Sequence, residues 1–392
     1  MEKYETIDFL GEGSFAKVSK AKDLKTGDTV AIKKLKKKYP TWQECVDLRE
    51  VKSLNKLKHN DNIIKLKEMI RIEDSLYLVF EYMEKNLYQL IIDRQNKKFS
   101  EAQIKCILHQ TLEGVAYMHK YGFFHRDLKP ENLLVNGEKV KLADFGLARE
   151  IRSIPPYTDY VSTRYYRAPE CILKSTNYNS PMDIWAVGCI MAELYTFKPL
   201  FYGSSEKEVL FRIASVIGTP NSSNWAEGLQ LAKKLDVKFP ATLSNCTTLS
   251  QMIPEASKEA IDLMHEMLKW DPNKRATAIN LLQHPFFTNY PIPNRINTPE
   301  LCGGNLKDNS AKRTYSSSNQ NKNISINIQN ESSNNIFSPN YVKSTDTSQF
   351  GPKKDDDEIS NLLADTVGFN KCIFLDIFFI FSKFANKFIL KI

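Results

Sequence analysis

Paired cysteines are missing from this 392-residue chain. Its seven cysteines stand alone at 45, 106, 171, 189, 246, 302 and 372, a scatter that argues against a disulfide framework or a zinc site and for a reducing compartment. No apolar segment follows Met1, because Glu2, Lys3 and Glu5 come at once, so a secretory signal is not expected. Long apolar runs are scarce as well. The densest, Cys372 to Phe381, has about half the length of a bilayer-spanning helix and contains Asp376. Two readings of it stay open: an amphipathic membrane or partner helix helped by Lys383, Lys387 and Lys391, or a gene-model artefact, favoured because an exposed apolar tail promotes aggregation. The net charge of +8 includes the run Lys33-Lys34-Leu35-Lys36-Lys37-Lys38. It lacks interleaved aromatics and a zinc motif, so nucleic acid is not expected as a partner.

What is present is a dense central constellation. His125-Arg126-Asp127-Leu128-Lys129-Pro130-Glu131-Asn132, then Asp144-Phe145-Gly146, then Ala168-Pro169-Glu170 follow the order and spacing of a protein kinase catalytic core. Each piece alone is weak, but together they leave chance remote. Phosphoryl transfer passes through a loose transition state, so a protein must chiefly position reactants and neutralise phosphate charge. Asp127 fits the carboxylate that accepts the proton of the incoming hydroxyl, with Lys129 beside it facing the transferred phosphate. Asn132 and Asp144 offer oxygens to magnesium. Leu133-Leu134-Val135 and Lys139-Val140-Lys141-Leu142 read as two strands with a turn at Asn136-Gly137, which would bring Asn132 and Asp144 to one end.

The upstream region supplies the other half of an ATP site. Leu10-Gly11-Glu12-Gly13-Ser14-Phe15-Ala16-Lys17-Val18, between strands at Tyr4 to Leu10 and Lys17 to Lys22, resembles a glycine-rich phosphate loop whose third glycine is Ala16. A Gly-x-Gly fragment by itself is more often an ordinary turn. Val30-Ala31-Ile32-Lys33 is an apolar strand ending in a lysine suited to the α and β phosphates. From Trp42 to Leu57 a single helix is expected, with Cys45, Leu48, Val51, Leu54 and Leu57 apolar at steps of three. Glu50 lies in it and is read as the ion-pair partner of Lys33. Leu76-Tyr77-Leu78-Val79-Phe80-Glu81-Tyr82-Met83 resembles the link between lobes, whose backbone, with Glu81 and Met83, would recognise adenine and whose Phe80 would restrict the pocket behind it; Ala31 counts among the nucleotide-binding residues. Helices are expected at Ser100 to Tyr121, Pro181 to Leu194 and Ser257 to Leu268.

Between Asp144 and Glu170 lies Thr158-Asp159-Tyr160, a Thr-x-Tyr pair resembling the activation switch of mitogen-activated and related kinases. A phosphate adds about −1.5 to −2 charge. Arg126 would bind phosphorylated Thr158, and Arg164 and Arg167 would meet phosphorylated Tyr160. Thr163 is expected to hydrogen-bond Asp127. With Leu48-Arg49-Glu50-Val51-Lys52-Ser53-Leu54 and Asp183-Ile184-Trp185-Ala186-Val187-Gly188-Cys189-Ile190-Met191-Ala192-Glu193-Leu194-Tyr195, this segment resembles the male germ cell-associated and intestinal cell kinases. Val216-Ile217-Gly218-Thr219-Pro220 resembles the wider group that also holds the cyclin-dependent and mitogen-activated kinases. Tyr165 departs from the tryptophan usual there.

The resemblance covers Tyr4 to Phe287. It implies an α+β, bilobal protein kinase fold: a small β-rich N-lobe with one main helix over 4–82 and a larger, mostly helical C-lobe over 83–287. It also implies ATP and Mg2+ as cofactors, a buried Arg275–Glu170 pair, proline-directed serine or threonine phosphorylation of protein substrates with arginine before the site, and an upstream activating kinase. The Glu50 helix lacks a cyclin-binding sequence, so no cyclin is expected. The resemblance places the chain in the cytoplasm, a cilium or flagellum, or the nucleus. Residues 288–392 are expected to form a disordered tail, rich in Asn, Ser, Lys and Asp from Asn294 to Asp357 and apolar at its end, with Thr298-Pro299 and Ser338-Pro339 as candidate self-phosphorylation sites. An alternative function stays open: a pseudokinase scaffold that binds ATP or partners without turnover, with Ala16 as its sequence support.

Overall fold

A computed structural model describes residues 2–151, 164–239 and 246–288. The predicted tail beyond Thr288, together with Thr158, Tyr160 and Thr163, lies outside them.

The N-terminal region is an antiparallel sheet of β1 (Tyr4–Glu12), β2 (Ala16–Asp23), β3 (Thr29–Lys38), β4 (Leu66–Ile72) and β5 (Ser75–Glu81), with α1 (Trp42–Val46) and α2 (Arg49–Leu57) between β3 and β4. The strand order is β1-β2-β3-β5-β4. Side chains alternate across a strand. Val30 and Ile32 therefore join Tyr4, Ala21 and Val79 in a small core on one face, while Ala31 and Leu35 belong to the larger core on the other. Lys33 shares the parity of Ala31 and Leu35, which delivers it to the face covered by α2.

The single helix expected from Trp42 to Leu57 is two. Thr41 caps α1 by accepting the Glu44 N–H, Asp47 closes it, and Leu48 is extended at ψ 134°. The reason lies in the apolar spacing. An α-helix turns about 100° per residue, so steps of three fall back by about 60° each, and an unbroken helix would carry the stripe from Cys45 to Leu57 round by about 240°. The break at Leu48 resets the phase. Cys45, Val51, Leu54 and Leu57 are then all buried.

The remainder comprises β6 (Lys85–Asn86), α3 (Leu87–Asp93), α4 (Glu101–Lys120), β7 (Phe123–Phe124), β8 (Leu133–Asn136), β9 (Lys139–Leu142), β10 (Arg149–Glu150), α5 (Pro169–Ile172), α6 (Pro181–Thr196), α7 (Glu206–Ile217), α8 (Ser222–Lys234), α9 (Leu249–Met252), α10 (Lys258–Met267) and α11 (Ala278–Leu282). Ser100 opens α4 with a reciprocal capping box to Gln103. The β8–β9 turn sits one residue later than expected: Asn136 pairs with Lys139, leaving Gly137 and Glu138 in the loop. Gly137, at φ 57°, supplies the left-handed position such a tight turn requires.

Helix α4 passes close under β9. A Cβ at Gly114 would lie 2.6 Å from Leu142 Cδ1 and 3.0 Å from the Asn62 carbonyl oxygen, and Leu142 is fully buried. Gly114→Ala should therefore lower stability by about 1–3 kcal/mol despite the better helix propensity of alanine. A urea midpoint at or above that of the parent chain would contradict this.

Candidate active site

Lys33 is the meeting point of three elements. Its Nζ lies 2.8 and 3.0 Å from the two carboxylate oxygens of Glu50 and 3.0 Å from Asp144 Oδ1. Glu50 stands in the first turn of α2, where the restarted helix favours a carboxylate. Asp144 arrives from β9 in a left-handed conformation, φ 62° and ψ 68°, ahead of a short 3-10 turn that buries Phe145 completely. Burial works against the Lys33 ammonium, but the Glu50 and Asp144 carboxylates outweigh it and hold its pKa above the ordinary value. Burial pushes the Asp144 carboxyl upward, yet Lys33 wins and holds it below the usual range.

The segment from His125 to Asn132 is fixed from several sides. Asp183, at the start of α6, accepts the backbone N–H of His125 at 2.8 Å and of Arg126 at 2.9 Å, and its Oδ2 also lies 2.9 Å from His119 Nε2. Arg126 is held at φ 75°. His125 Nδ1 accepts the Asp127 N–H at 3.3 Å, which leaves Nε2 to donate to the Ala143 carbonyl at 2.9 Å. Asp127 Oδ2 receives Lys129 Nζ at 3.0 Å and Asn132 Nδ2 at 3.1 Å. The same Asn132 nitrogen donates to the Asp127 carbonyl at 2.7 Å.

Asn132 thus spends its nitrogen on Asp127, and its amide oxygen has no hydrogen bond among the described residues. Ala143 N–H donates to the Asn132 carbonyl at 2.9 Å, tying the Asn132 and Asp144 segments together. No group of three or more His, Cys, Asp or Glu gathers among the described residues. One carboxylate and one amide oxygen fit Mg2+, which keeps several waters and shares substrate phosphates rather than occupying an all-protein cage.

The predicted nucleotide-binding residues form the β1–β2 turn and its surroundings. Leu10, Gly11 and Glu12 end β1; Gly13, Ser14 and Phe15 make the tip, where Gly13 N–H donates to the Ala16 carbonyl at 2.9 Å and Phe15 is 81% exposed. Glu12 reaches Lys36 at 2.7 Å and Lys17 at 3.1 Å. Ala16 is buried in the main core and pairs in register with Leu35, so the side chain at the third glycine position packs into the fold. A Cβ at Gly11 or Gly13 would meet nothing within 4 Å. The fold itself leaves room there, so packing within the fold does not require glycine at either position. Val18 lies opposite Lys33 and Ala31 opposite Phe80; Met83 packs half-buried on the core. The Glu81 side chain is committed elsewhere: its Oε1 accepts the Lys65 N–H and Lys141 Nζ, each at 2.8 Å.

Of the predicted phosphate-binding arginines, Arg126 donates to the Tyr178 hydroxyl at 2.5 Å and the Leu147 carbonyl at 3.3 Å. Arg164 donates to the Ser204 carbonyl at 3.0 Å, and Arg167 pairs with Glu206 at 2.8 Å. These two converge on the chain entering α7. Arg275 and Glu170 form a two-pronged buried pair at 2.6 and 2.7 Å, and Tyr165 packs half-buried against the core.

Residues 4–287 match the protein kinase domain family model. The chain belongs to the protein kinase family. It is 57% identical over 288 residues to mouse serine/threonine-protein kinase ICK, an overlap covering 73% of this chain and 45% of that protein. Mouse serine/threonine-protein kinase MAK is 58% identical over 288 residues, covering 73% of this chain and 46% of that protein. Rice cyclin-dependent kinase F-4 is 50% identical over 287 residues, covering 73% and 62% respectively. The match to ICK and MAK spans slightly less than half of their length. The kinship with the intestinal cell and male germ cell-associated kinases drawn from the motifs therefore holds.

From sequence, Tyr178 and Glu206 are passed over, Lys141 is placed only in a strand, and Asp183 and Glu193 are named only in a helix and a run that carries the resemblance. Glu193 is buried and accepts the Tyr166 hydroxyl at 2.7 Å. Burial pushes the Glu193 carboxyl up to about 7. Because the folded value exceeds the unfolded one of about 4.3, this group's stabilisation is complete below about pH 4.3 and is lost as pH rises through about 7. Glu193→Gln should flatten that component, so thermal midpoints at pH 5 and pH 8 should lie closer together than in the parent chain. An undiminished difference would count against a raised Glu193.

Proposed function

We propose that this chain is an ATP- and Mg2+-dependent serine/threonine protein kinase. The observation that carries the reading is the Lys33 bridge to Glu50 and Asp144, standing with Asp127 and its two partners. In this reading Lys33 holds the α and β phosphates and Glu50 holds Lys33. Asn132 and Asp144 hold Mg2+, which supplies charge neutralisation on the phosphates. Asp127, restrained by Asn132, accepts the hydroxyl proton of the protein substrate, and Lys129 lies beside it to neutralise charge on the transferred group. Gly11 and Gly13 let the β1–β2 turn close over phosphate.

The finer reading rests on resemblance. Thr158 and Tyr160 are phosphorylated by an upstream kinase, Arg126 serves the first phosphate, and Arg164 and Arg167 serve the second. Substrates carry Ser-Pro or Thr-Pro with a preceding arginine, and the setting is a cilium or flagellum, the cytoplasm or the nucleus. No cyclin is required. The alternative is a scaffold that binds ATP or partners without turnover; Ala16, its sequence support, packs into the core.

An Arg-Pro-x-Ser-Pro peptide incubated with the full chain, ATP and Mg2+ should be phosphorylated on serine, and Asp127→Asn should lower the rate by at least about 100-fold. Equal turnover by the folded variant would overturn the assignment, and ATP binding without turnover by the parent would favour a scaffold. Mass spectrometry of native protein should find phosphate on both Thr158 and Tyr160. Replacing them by Ala and Phe should reduce kcat more than it reduces ATP binding.

A further inference from the structure

One ion pair sits where the two regions of the fold join and has no part in the phosphoryl-transfer reading. Lys141, on β9, has a side chain only 7% exposed, and its ammonium lies 2.8 Å from Glu81 Oε1 at the end of β5. That same oxygen accepts the Lys65 N–H at 2.8 Å, while Glu81 N–H donates to the Lys65 carbonyl at 3.1 Å. Three chain segments meet at this point. The first is the link from α2 to β4, the second the strand running out of the sheet, and the third the strand leading to Asp144.

The neighbouring contacts tie the same segments. Ile64 N–H donates to the Leu142 carbonyl at 2.9 Å and Leu142 N–H to the Asn62 carbonyl at 2.8 Å. Asn62 Nδ2 reaches the Val140 carbonyl at 3.0 Å and Gln110 Oε1 at 3.3 Å. These bonds fasten residues 62–64 to β9 and α4. None of them holds the outgoing end of β5, where the sheet hands over to β6. Glu81 does, through Lys141.

We propose that Lys141 and Glu81 form an interlobe clasp that sets the angle between sheet and helical region and so slows nucleotide release. The chemistry favours a clasp over a surface ornament. A nearly buried ammonium is costly unless paired, so opening the lobes at this point exposes both charges or separates them. Lys141 precedes Asp144 by three residues on one strand and its connection, and Lys33 meets Asp144 from the sheet side. A change in the angle at Glu81 therefore changes the Lys33–Asp144 separation. Lys141 touches no reacting atom in this scheme and acts as a positioning residue.

The inference rests on the nucleotide-binding reading above, so its test includes one measurement that needs no nucleotide. In the full chain, Lys141→Met should release a fluorescent ADP analogue at least about threefold faster and raise KM for ATP by a larger factor than it lowers the single-turnover transfer rate at saturating ATP. The Lys65 amide, bonded to Glu81 in the parent, should exchange its hydrogen faster, while amides in α10 should not change. Glu81→Gln should act in the same direction, and the double variant should be no faster than the stronger single one, because both break one interaction. Unchanged release in Lys141→Met, or additive effects in the double variant, overturns the clasp. A parent chain that binds no ADP analogue overturns the nucleotide reading, and Lys65 exchange then decides the clasp alone: faster exchange supports it and unchanged exchange sinks it.

Discussion

A largely buried ammonium with two carboxylates around it governs the rest of this structure. Lys33 is 17% exposed at its side chain, which an isolated charge would tolerate poorly. Glu50 and Asp144 come from different regions, so satisfying Lys33 forces the sheet, α2 and the loop after β9 into one arrangement. The cluster carries one net negative charge when all three groups are ionised. That surplus sits on the side of Asp144, whose carboxylate is 52% exposed, and it makes the mouth of the site a place for cations and for phosphates accompanied by them. Alternation on β3, the break at Leu48 and the burial of Phe145 are all means of bringing these three side chains together.

Much of this was legible because the chemistry is concentrated in short segments. Asp127, Lys129 and Asn132 lie within six consecutive residues, and the strand carrying Lys33 announces itself through Val30, Ala31 and Ile32. The two-region fold followed from the same motifs. The break in the Trp42–Leu57 segment was legible in principle, since a step of three sustained over four repeats conflicts with 3.6 residues per turn. Asp183 was not, because nothing local marks a carboxylate in an apolar helix as the acceptor for backbone N–H groups 57 and 58 residues earlier. The Glu81–Lys141 pair was hidden for a like reason. Nothing local tells that the Glu81 side chain at the end of β5 meets the ammonium of Lys141 on β9.

The basic run from Lys33 to Lys38 shows how tertiary structure redistributes a local signal. No aromatic interrupts it in sequence, yet Lys34 lies 5.2 Å from the Tyr77 ring centre and Lys37 lies 5.5 Å from that of Tyr39. Lys36 pairs with Glu12, and Lys38 donates to the Ser75 hydroxyl at 3.0 Å. Cation–ring contacts at exposed sites contribute roughly 0.5–1 kcal/mol each. The lysines thereby help hold β3 to β5 and to the β1–β2 turn. A charge run that suggests a polyanion partner in one dimension is divided among neighbouring strands in three.

Two non-glycine residues in left-handed conformations, Arg126 and Asp144, flank the central motif. Such a conformation costs roughly 1–2 kcal/mol per residue, so each needs an external restraint. For Arg126 it is Asp183, whose buried carboxylate accepts two successive backbone N–H groups and fixes the turn before Asp127. For Asp144 it is the Lys33 contact on one side and the buried Phe145 ring on the other, lying 5.1 Å from His125. His125 closes the circuit, because it accepts from Asp127 N–H and donates to Ala143, the residue before Asp144. The two strained positions are therefore coupled through one imidazole whose donor and acceptor roles are both assigned. A shift of Asp144 away from Lys33 would pull on Ala143, then on His125, then on the backbone of Asp127. The loop that carries the candidate base and the residue that would hold the metal consequently move as a unit, and the geometry of one reports the geometry of the other.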